Sequence, residues 1–184
     1  MQAARLATHL REHPSQSLRD IAHTLQHGRQ HFAFRAAWMC ATREEAIEAL
    51  EAGVGDSAPV PVSTRPVFLF PGQGSQSIGM ARCLYMTEPA FRDDVDRGLE
   101  ALAGMPVATL VRDALLGREC ARIDDTAVAQ PALFILCHAL ARWCMACGVV
   151  PDAAIGHSLG EFGAATLAAA LSSVACIVAS AVFC

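Results

Sequence analysis

The chain has 184 residues and a formal net charge of −4, from 14 Lys and Arg residues against 18 Asp and Glu residues. This length suits one medium-sized domain with a small appendage. Because no basic cluster is present, we exclude nucleic acid as a partner. Hydrophobic residues make up 53% of the chain and aromatic residues only 6%, which predicts a core built from Ala, Val and Leu.

The first part of the chain, residues 1–60, predicts a small α+β domain. Ser17 is a good helix N-cap and Gly28 a good C-terminal stop, while Thr42 to Glu45 is similar to a capping box. We expect helices over residues 6–10, 17–28 and 42–53, and a strand over residues 31–40. Residues 53–64, with their Gly, Pro and Ser, indicate a linker to the second part of the chain, residues 61–184.

The second part opens with a strand that leads into a glycine-rich turn. Val67-Phe68-Leu69-Phe70 is an all-apolar run typical of a buried parallel strand. It runs directly into Pro71-Gly72-Gln73-Gly74-Ser75-Gln76. Two glycines around Gln73 predict a tight turn whose backbone N–H groups can point outward.

A long apolar helix is expected over residues 130–147, ending at Gly148. Cys144 and Cys147 on this helix have the spacing of a redox or zinc pair. A zinc site needs two more ligands, and no second pair has the spacing for it. We therefore interpret these cysteines as ordinary buried thiols, His138 as a structural residue, and the chain as having no metal site.

The segment Ala153-Ala154-Ile155-Gly156-His157-Ser158-Leu159-Gly160-Glu161 is the most informative in the chain. A short apolar run precedes Gly-x-Ser-x-Gly and a helix-forming stretch follows, which is the context of a nucleophile elbow. Such a turn exposes a Ser hydroxyl, which needs a base to take its proton and donors to hold an oxyanion. Ser158 is therefore the candidate nucleophile. We expect its strand, residues 152–157, to lie parallel and adjacent to the strand at residues 67–70.

Taken together, Phe-Pro-Gly-Gln-Gly-Ser-Gln at residues 70–76 and Gly-His-Ser-Leu-Gly-Glu at residues 156–161 resemble the acyltransferase family. This family comprises malonyl-CoA:acyl carrier protein transacylases and the acyltransferase domains of modular polyketide synthases. Residues 125–134 look like a third block of the family. The order of elements in residues 1–60 is similar to the linker that joins ketosynthase to acyltransferase. The resemblance implies an α/β fold, with a parallel-sheet, hydrolase-like core that is incomplete in this chain.

The resemblance also implies a mechanism and a set of site residues. Ser158 would attack malonyl-CoA, and the acyl-Ser would pass its malonyl group to the phosphopantetheine thiol of an acyl carrier protein. The family forms its oxyanion hole from the backbone N–H groups at the positions of Gln73 and Leu159. Gln73, Gln130 and Leu159 would contact the substrate, and an aliphatic residue at Leu159 resembles malonyl-selective members. No cofactor would be bound permanently, and the partners would be the carrier protein, the ketosynthase and other synthase domains.

Two parts of the family's machinery have no counterpart in the 184 residues. The family's general base is a His far downstream of the nucleophile, beyond Cys184, and Phe183 stands about where the family has an Arg that binds the malonyl carboxylate. His157 is a poor substitute for the base, since neighbouring side chains on an extended backbone point to opposite sides. We therefore expect a truncated or frameshifted domain that is inactive alone and prone to self-association.

Three alternatives remain beside this interpretation. A serine esterase of the α/β-hydrolase type explains the elbow but gives the Gly-Gln-Gly-Ser-Gln block no role. A non-catalytic docking or scaffold fragment needs none of the missing groups. Residues 162–184 carry no charge and could span a bilayer by length, but a membrane anchor would share residues with the elbow helix. The N-terminus lacks the apolar core of a signal peptide, so we expect a cytoplasmic protein.

Overall fold

A computed structural model describes residues 2–30, 32–53, 65–169 and 173–182. The chain separates into two compact units, Met1–Thr64 and Arg65–Cys184. In chain order the elements are α1 (Gln2–Glu12), α2 (Leu18–His27), α3 (Arg43–Ala52), β1 (Val67–Phe70), α4 (Arg82–Thr87), α5 (Pro89–Glu100), α6 (Ala108–Leu116), α7 (Thr126–Ala146), β2 (Ala153–Gly156), α8 (Gly160–Leu167) and α9 (Ser173–Val182).

The first unit contains the three helices that the sequence predicts. The Ser17 hydroxyl accepts the N–H of Asp20 at the start of α2, and Gly28 caps its end. At α3, Thr42 and Glu45 form a reciprocal capping box. A small core of Ala7, Leu10, Ala46 and Leu50 joins α1 to α3. The helix predictions for this unit are confirmed.

The strand expected over residues 31–40 is not found. His31 lies outside the described residues, and residues 32–40 pair with no strand in the described part of the unit. A strand needs a neighbour to take its backbone hydrogen bonds, and three helices supply none. The alternating pattern instead leaves Phe32, Phe34 and Met39 exposed. The linker expected at residues 53–64 falls almost wholly outside the described residues.

The second unit contains the predicted parallel pair of strands. Val67 pairs with Ala153, and the register continues to Phe70 opposite Gly156. Backbone bonds extend the pairing at both ends: Asp152 N–H donates to Pro66 C=O at 2.9 Å, and His157 N–H donates to Phe70 C=O at 3.1 Å. The fold-class prediction, an α/β core with a parallel sheet, is confirmed.

Helix α7 forms the centre of the second unit. It packs against α5, α6, α8 and α9. It begins four residues before the expected residue 130 and ends before Gly148, whose φ of +91° stops it. In the part of the chain that the structure describes, α7 is the helix long and apolar enough to cross a membrane. Half of that stretch is buried inside the protein, which is typical of a core helix.

The uncharged segment at residues 162–184 does not form one continuous helix in its described part. Helix α8 ends at Leu167, and Ala169 takes a left-handed conformation with a φ of +58°. Helix α9 then begins at Ser173. Residues 170–172 and Phe183, the position compared with the family's Arg, lie outside the described residues.

One face of the sheet is apolar and exposed. Leu69 and Ile155 are paired in register and are 73% and 58% exposed, and Val67 on the same face is 47% exposed. The opposite face is covered, since Phe70 is only 5% exposed. Contiguous exposed apolar surface of this kind is typical of surfaces that associate with other protein.

This face predicts concentration-dependent self-association of the purified chain. In sedimentation velocity, we expect Leu69→Lys to shift the chain toward monomer, because a charge then has to be desolvated at the contact. Met39→Lys is the matched control, as Met39 is a fully exposed apolar residue of the first unit. A monodisperse wild-type monomer would contradict the prediction.

Candidate active site

Ser158 lies on a strained turn between β2 and α8. β2 ends at Gly156 and α8 begins at Gly160, so only three residues make the turn. Ser158 has a φ of +54° and is exposed. For a residue with a side chain, this left-handed conformation costs about 1–2 kcal/mol. Strand, strained Ser and helix in this order form the nucleophile elbow that the sequence predicts.

The two motif glycines allow the elbow to pack tightly. A Cβ added at Gly160 would lie 2.1 Å from the carbonyl oxygen of Phe70, at the end of β1. A Cβ added at Gly156 would lie 2.2 Å from the carbonyl carbon of Gly160. No side chain fits at either position without moving backbone. The start of α8 therefore rests directly on the end of β1.

Gly72 brings the second motif to the elbow. A Cβ added at Gly72 would lie 2.9 Å from His157 Nδ1 and 3.5 Å from Ser158 Cβ. Since consecutive Cα atoms are about 3.8 Å apart, the Cα of Gln73 lies within about 9 Å of Ser158 Cβ. The structure thus places the Gln73 turn beside the candidate nucleophile, although the two motifs are more than 80 residues apart in the sequence.

Two backbone N–H groups at this junction are available as donors. Within the described residues, neither Gln73 N–H nor Leu159 N–H donates a hydrogen bond. Leu159 lies at the N-terminus of α8, where unpaired N–H groups and the helix dipole favour negative charge. The residue as a whole is only 4% exposed and lines a void of about 10 Å³ beneath the elbow. Leu159 is therefore a candidate oxyanion donor through its backbone N–H, as the resemblance implies.

The side chain of Gln73 is held by the N-terminal part of α7. Gln73 Nε2 donates to Thr126 Oγ1 at 3.3 Å. Gln130 Nε2 donates to Gln73 Oε1 at 3.4 Å. The structure thus brings Gln73 and Gln130 into contact. Ser158 lies beside the same turn, because it is close to Gly72. Thr126 belongs to the third block, and sequence reasoning gave it no role.

Gln76 is a second residue that sequence reasoning missed. Its Oε1 accepts the N–H of Gly74 at 2.8 Å, and its Nε2 donates to Asp124 Oδ1 at 3.0 Å. Gly74 has a φ of +115°, a conformation that residues with a Cβ rarely adopt. Both ends of one amide therefore fix the turn and tie it to the residues before α7. Nothing in the spacing of the sequence indicates this pairing.

No general base for Ser158 is found in the described part of the chain. His157 Nδ1 lies against Gly72, and the hydrogen bonds of His157 within the described residues are backbone bonds, to Phe70 C=O and from Gly160 N–H. His138 lies on α7, eight residues beyond Gln130, which corresponds to about 12 Å along the helix. The described residues therefore contain a candidate nucleophile and candidate oxyanion donors but no partner for the Ser158 proton.

The cysteines differ in exposure. Cys147 is exposed and Cys144 half-buried, so the expectation that both are buried is wrong for Cys147, which caps α7. Among the described residues, no group of three or more His, Cys, Asp or Glu side chains could hold a metal ion. Cys137 lies beneath the elbow, where burial raises the pKa of its thiol to about 11.

Known protein families match the motifs at residues 70–76 and 156–161 as parts of one domain. Residues 67–183 match the family model of the acyl transferase domain, and residues 1–50 match one described as CurL-like, PKS C-terminal. The chain is 38% identical over 176 residues to orsellinic acid synthase of Emericella nidulans, covering 92% of this chain and 8% of that protein.

Solved structures give the same result. The acyl transferase domain of ZmaA superimposes with a TM-score of 0.89 at 30% identity, covering 97% of this chain and 43% of that one. The malonyl CoA-acyl carrier protein transacylase of Coxiella burnetii superimposes with a TM-score of 0.55 at 34% identity, covering 62% of this chain and 35% of that one.

The chain belongs to the acyl transferase domain family, since the family model matches more than half of its residues. It spans less than a tenth of the length of the synthase that it matches and less than half of the solved domain.

The Gln76–Asp124 bond predicts a coupling between these residues. In Gln76→Glu the new carboxylate faces that of Asp124, so the hydrogen bond between the two side chains is lost. In Asp124→Asn the side-chain carbonyl oxygen still accepts the bond from Gln76. In the double variant, the amide introduced at position 124 can donate to the carboxylate introduced at position 76. We expect the free energies of unfolding, measured by urea denaturation, to show a favourable coupling of about 0.5–1 kcal/mol. Strictly additive effects would show that the bond does not hold the turn.

The environment of Cys137 predicts low reactivity. A thiol whose pKa is about 11 is almost wholly protonated at pH 8, and only the thiolate reacts. We expect iodoacetamide at pH 8 to label the exposed Cys83 and Cys147, read by mass spectrometry, and to leave Cys137 unmodified. Labelling of Cys137 at the rate of Cys83 would contradict this packing.

Proposed function

We propose that this chain supplies the nucleophile and oxyanion hole of an acyltransferase that serves polyketide or fatty acid biosynthesis. It would move a malonyl-type acyl group from CoA to the phosphopantetheine thiol of an acyl carrier protein. In this proposal, residues 1–60 form the ketosynthase-to-acyltransferase linker and residues 61–184 part of the acyltransferase domain. A cytoplasmic location belongs to the same proposal.

The observation that carries the proposal is the contact between the two motifs at Gly72. This contact places the Gln73 turn next to the strained Ser158. A nucleophile elbow by itself does not require a second turn at that position. A simple esterase elbow leaves the Gly-Gln-Gly-Ser-Gln turn without a role. The matched transacylase from Coxiella burnetii, by its name, acts on malonyl-CoA and acyl carrier protein, which supports the choice of substrate and partner.

The reaction proceeds in two displacements. Ser158 Oγ attacks the thioester carbonyl carbon of malonyl-CoA and loses its proton to a base. The Gln73 and Leu159 N–H groups hold the oxyanion, and the C–S bond then breaks, so that CoA leaves as a thiol after taking up a proton. In the second displacement the carrier's thiol gives its proton to the base and its sulfur attacks the carbonyl carbon of the acyl-Ser ester. The bond between that carbon and Ser158 Oγ then breaks, and Oγ takes the proton back from the base.

The base in this proposal is not among the described residues. General base catalysis is typically worth about 10²–10⁴-fold in rate. The 184-residue polypeptide by itself should therefore acylate Ser158 very slowly or not at all. Its Gln73, Gln130 and Leu159 would position the thioester without activating the hydroxyl.

We predict slow labelling of the chain by radiolabelled malonyl-CoA, followed on a denaturing gel. Added imidazole, which supplies an external base, should accelerate this labelling, and Ser158→Ala should abolish it. Ser75→Ala is the matched control, since Ser75 is an exposed hydroxyl in the neighbouring turn.

Three outcomes would count against the proposal. Labelling that survives in Ser158→Ala would place the nucleophile elsewhere. Rapid stoichiometric labelling without imidazole would show that the chain contains its own base. Multiple turnovers with p-nitrophenyl acetate, together with no malonyl labelling, would favour the esterase.

A further inference from the structure

A second polar site lies between α5, α7 and α9. A cavity of about 270 Å³ opens there, and its lining includes Asp94, Arg97, Ile135, His138, Arg142 and Ser173. The volume far exceeds that of the void beneath the elbow, which is about 10 Å³. None of the residues that line it belongs to the three motifs of the candidate active site.

The charges around this cavity do not cancel. Arg97 Nη2 and Arg142 Nε both donate to the same oxygen, Asp94 Oδ1, the second at 2.9 Å. The Asp94 side chain is only 10% exposed, whereas the two Arg side chains are 61% and 52% exposed. Two guanidinium groups against one carboxylate leave a formal charge of +1. Helix α9, which forms the other wall, has no charged residue.

Both arginines keep N–H groups for another acceptor. A guanidinium has five N–H donors, and Arg142 binds Asp94 through Nε. Guanidinium groups suit carboxylate and phosphate because their planar N–H pairs match two oxygens of the anion. The buried Asp94 carboxylate holds both groups in place without using their full donor capacity.

The ring of His138 lines the same cavity. Its Nδ1 atom is buried and has no hydrogen-bond partner among the described residues. Its ring stacks on Phe134 with centroids 5.9 Å apart. Burial and the positive charge of Arg142 lower the pKa of His138, while Asp94 opposes that shift and Arg97 adds to it. A lowered pKa keeps the ring neutral at pH 7, so His138 adds no charge to those of Asp94 and the two arginines.

We propose that this cavity binds a small oxyanion, through the free guanidinium N–H groups of Arg97 and Arg142 and the hydroxyl of Ser173, beside the ring of His138. The ligand's shared chemistry is a carboxylate or phosphate group. Its oxygens would neutralise the formal charge of +1. This site is separate from the Ser158 elbow and does not rest on the acyl-transfer proposal.

The test is thermal unfolding of the 184-residue chain in sodium phosphate against sodium chloride of equal ionic strength. A ligand that binds only the folded state raises the midpoint, and 1 kcal/mol corresponds to about 2–4 °C for a chain of this size. We expect a rise of this order in phosphate at several times its dissociation constant. Sodium malonate in a parallel series distinguishes a carboxylate ligand from a phosphate ligand.

Matched variants locate the effect. Arg142→Met keeps the apolar stem and removes the donors, so the anion-dependent rise should disappear. Arg122→Met is the control, because Arg122 is 58% exposed and also pairs with an Asp, Asp125, outside the cavity. In this variant the rise should persist.

An NMR titration of the wild-type chain keeps the test independent of any variant's folding. The ¹⁵N resonance of His138 Nδ1 should shift with phosphate or malonate and saturate, while that of the exposed His23 should not. A saturating shift with either anion supports the proposal and identifies the ligand class. No midpoint rise over chloride with either anion, an equal rise in Arg142→Met, or an unchanged His138 resonance would overturn it.

Discussion

The carbonyl oxygen of Phe70 is the point on which the candidate site depends. It accepts the N–H of His157 and so extends the parallel pairing of β1 and β2 by one residue. The same oxygen lies where a side chain on Gly160 would begin, which lets α8 start directly above the strand. The left-handed Ser158 between these two contacts is strained, and packing of the strand and the helix offsets that strain. A backbone contact therefore sets the position of the candidate nucleophile.

Helix α7 connects that contact to the rest of the second unit. The N-terminal part of α7 holds the Gln73 turn through hydrogen bonds from Gln73 to Thr126 and from Gln130 to Gln73. A hydrogen bond from Gln76 to Asp124 joins the same turn to the residues just before the helix. Its middle forms much of the core between α5 and α6. The oxyanion donors proposed at Gln73 and Leu159 are thus held by the packing of a long buried helix, which favours preorganisation. The same helix carries His138 and Arg142 to the second polar site.

The second unit combines well-packed and incompletely covered surfaces. Phe91, Val95 and Val111 are fully buried around α7, whereas the outer face of the sheet exposes Leu69 and Ile155. Charge is also unevenly matched, since two arginines share Asp94 beside a helix with no charged residue. Exposed apolar area is typical of a surface that binds another protein. Hydrogen-bond donors without an acceptor are typical of a site that binds a ligand.

Neighbouring residues in the chain are enough to predict the local elements of this fold. The caps at Ser17 and Thr42, the strand at residues 67–70 and the strand–Ser–helix turn follow from neighbouring residues, and the paired motifs identified the family. The pairing of distant groups, in contrast, depends on the fold: Gly72 lies against Ser158, Gln76 bonds to Asp124, and Arg142 bonds to Asp94. The strand expected at residues 31–40 is not found, because a strand needs a second strand to pair with, and no local pattern specifies that partner. The preference of a short segment for helix, strand or turn depends on its own residues. Contacts across the fold depend instead on packing that brings remote segments together.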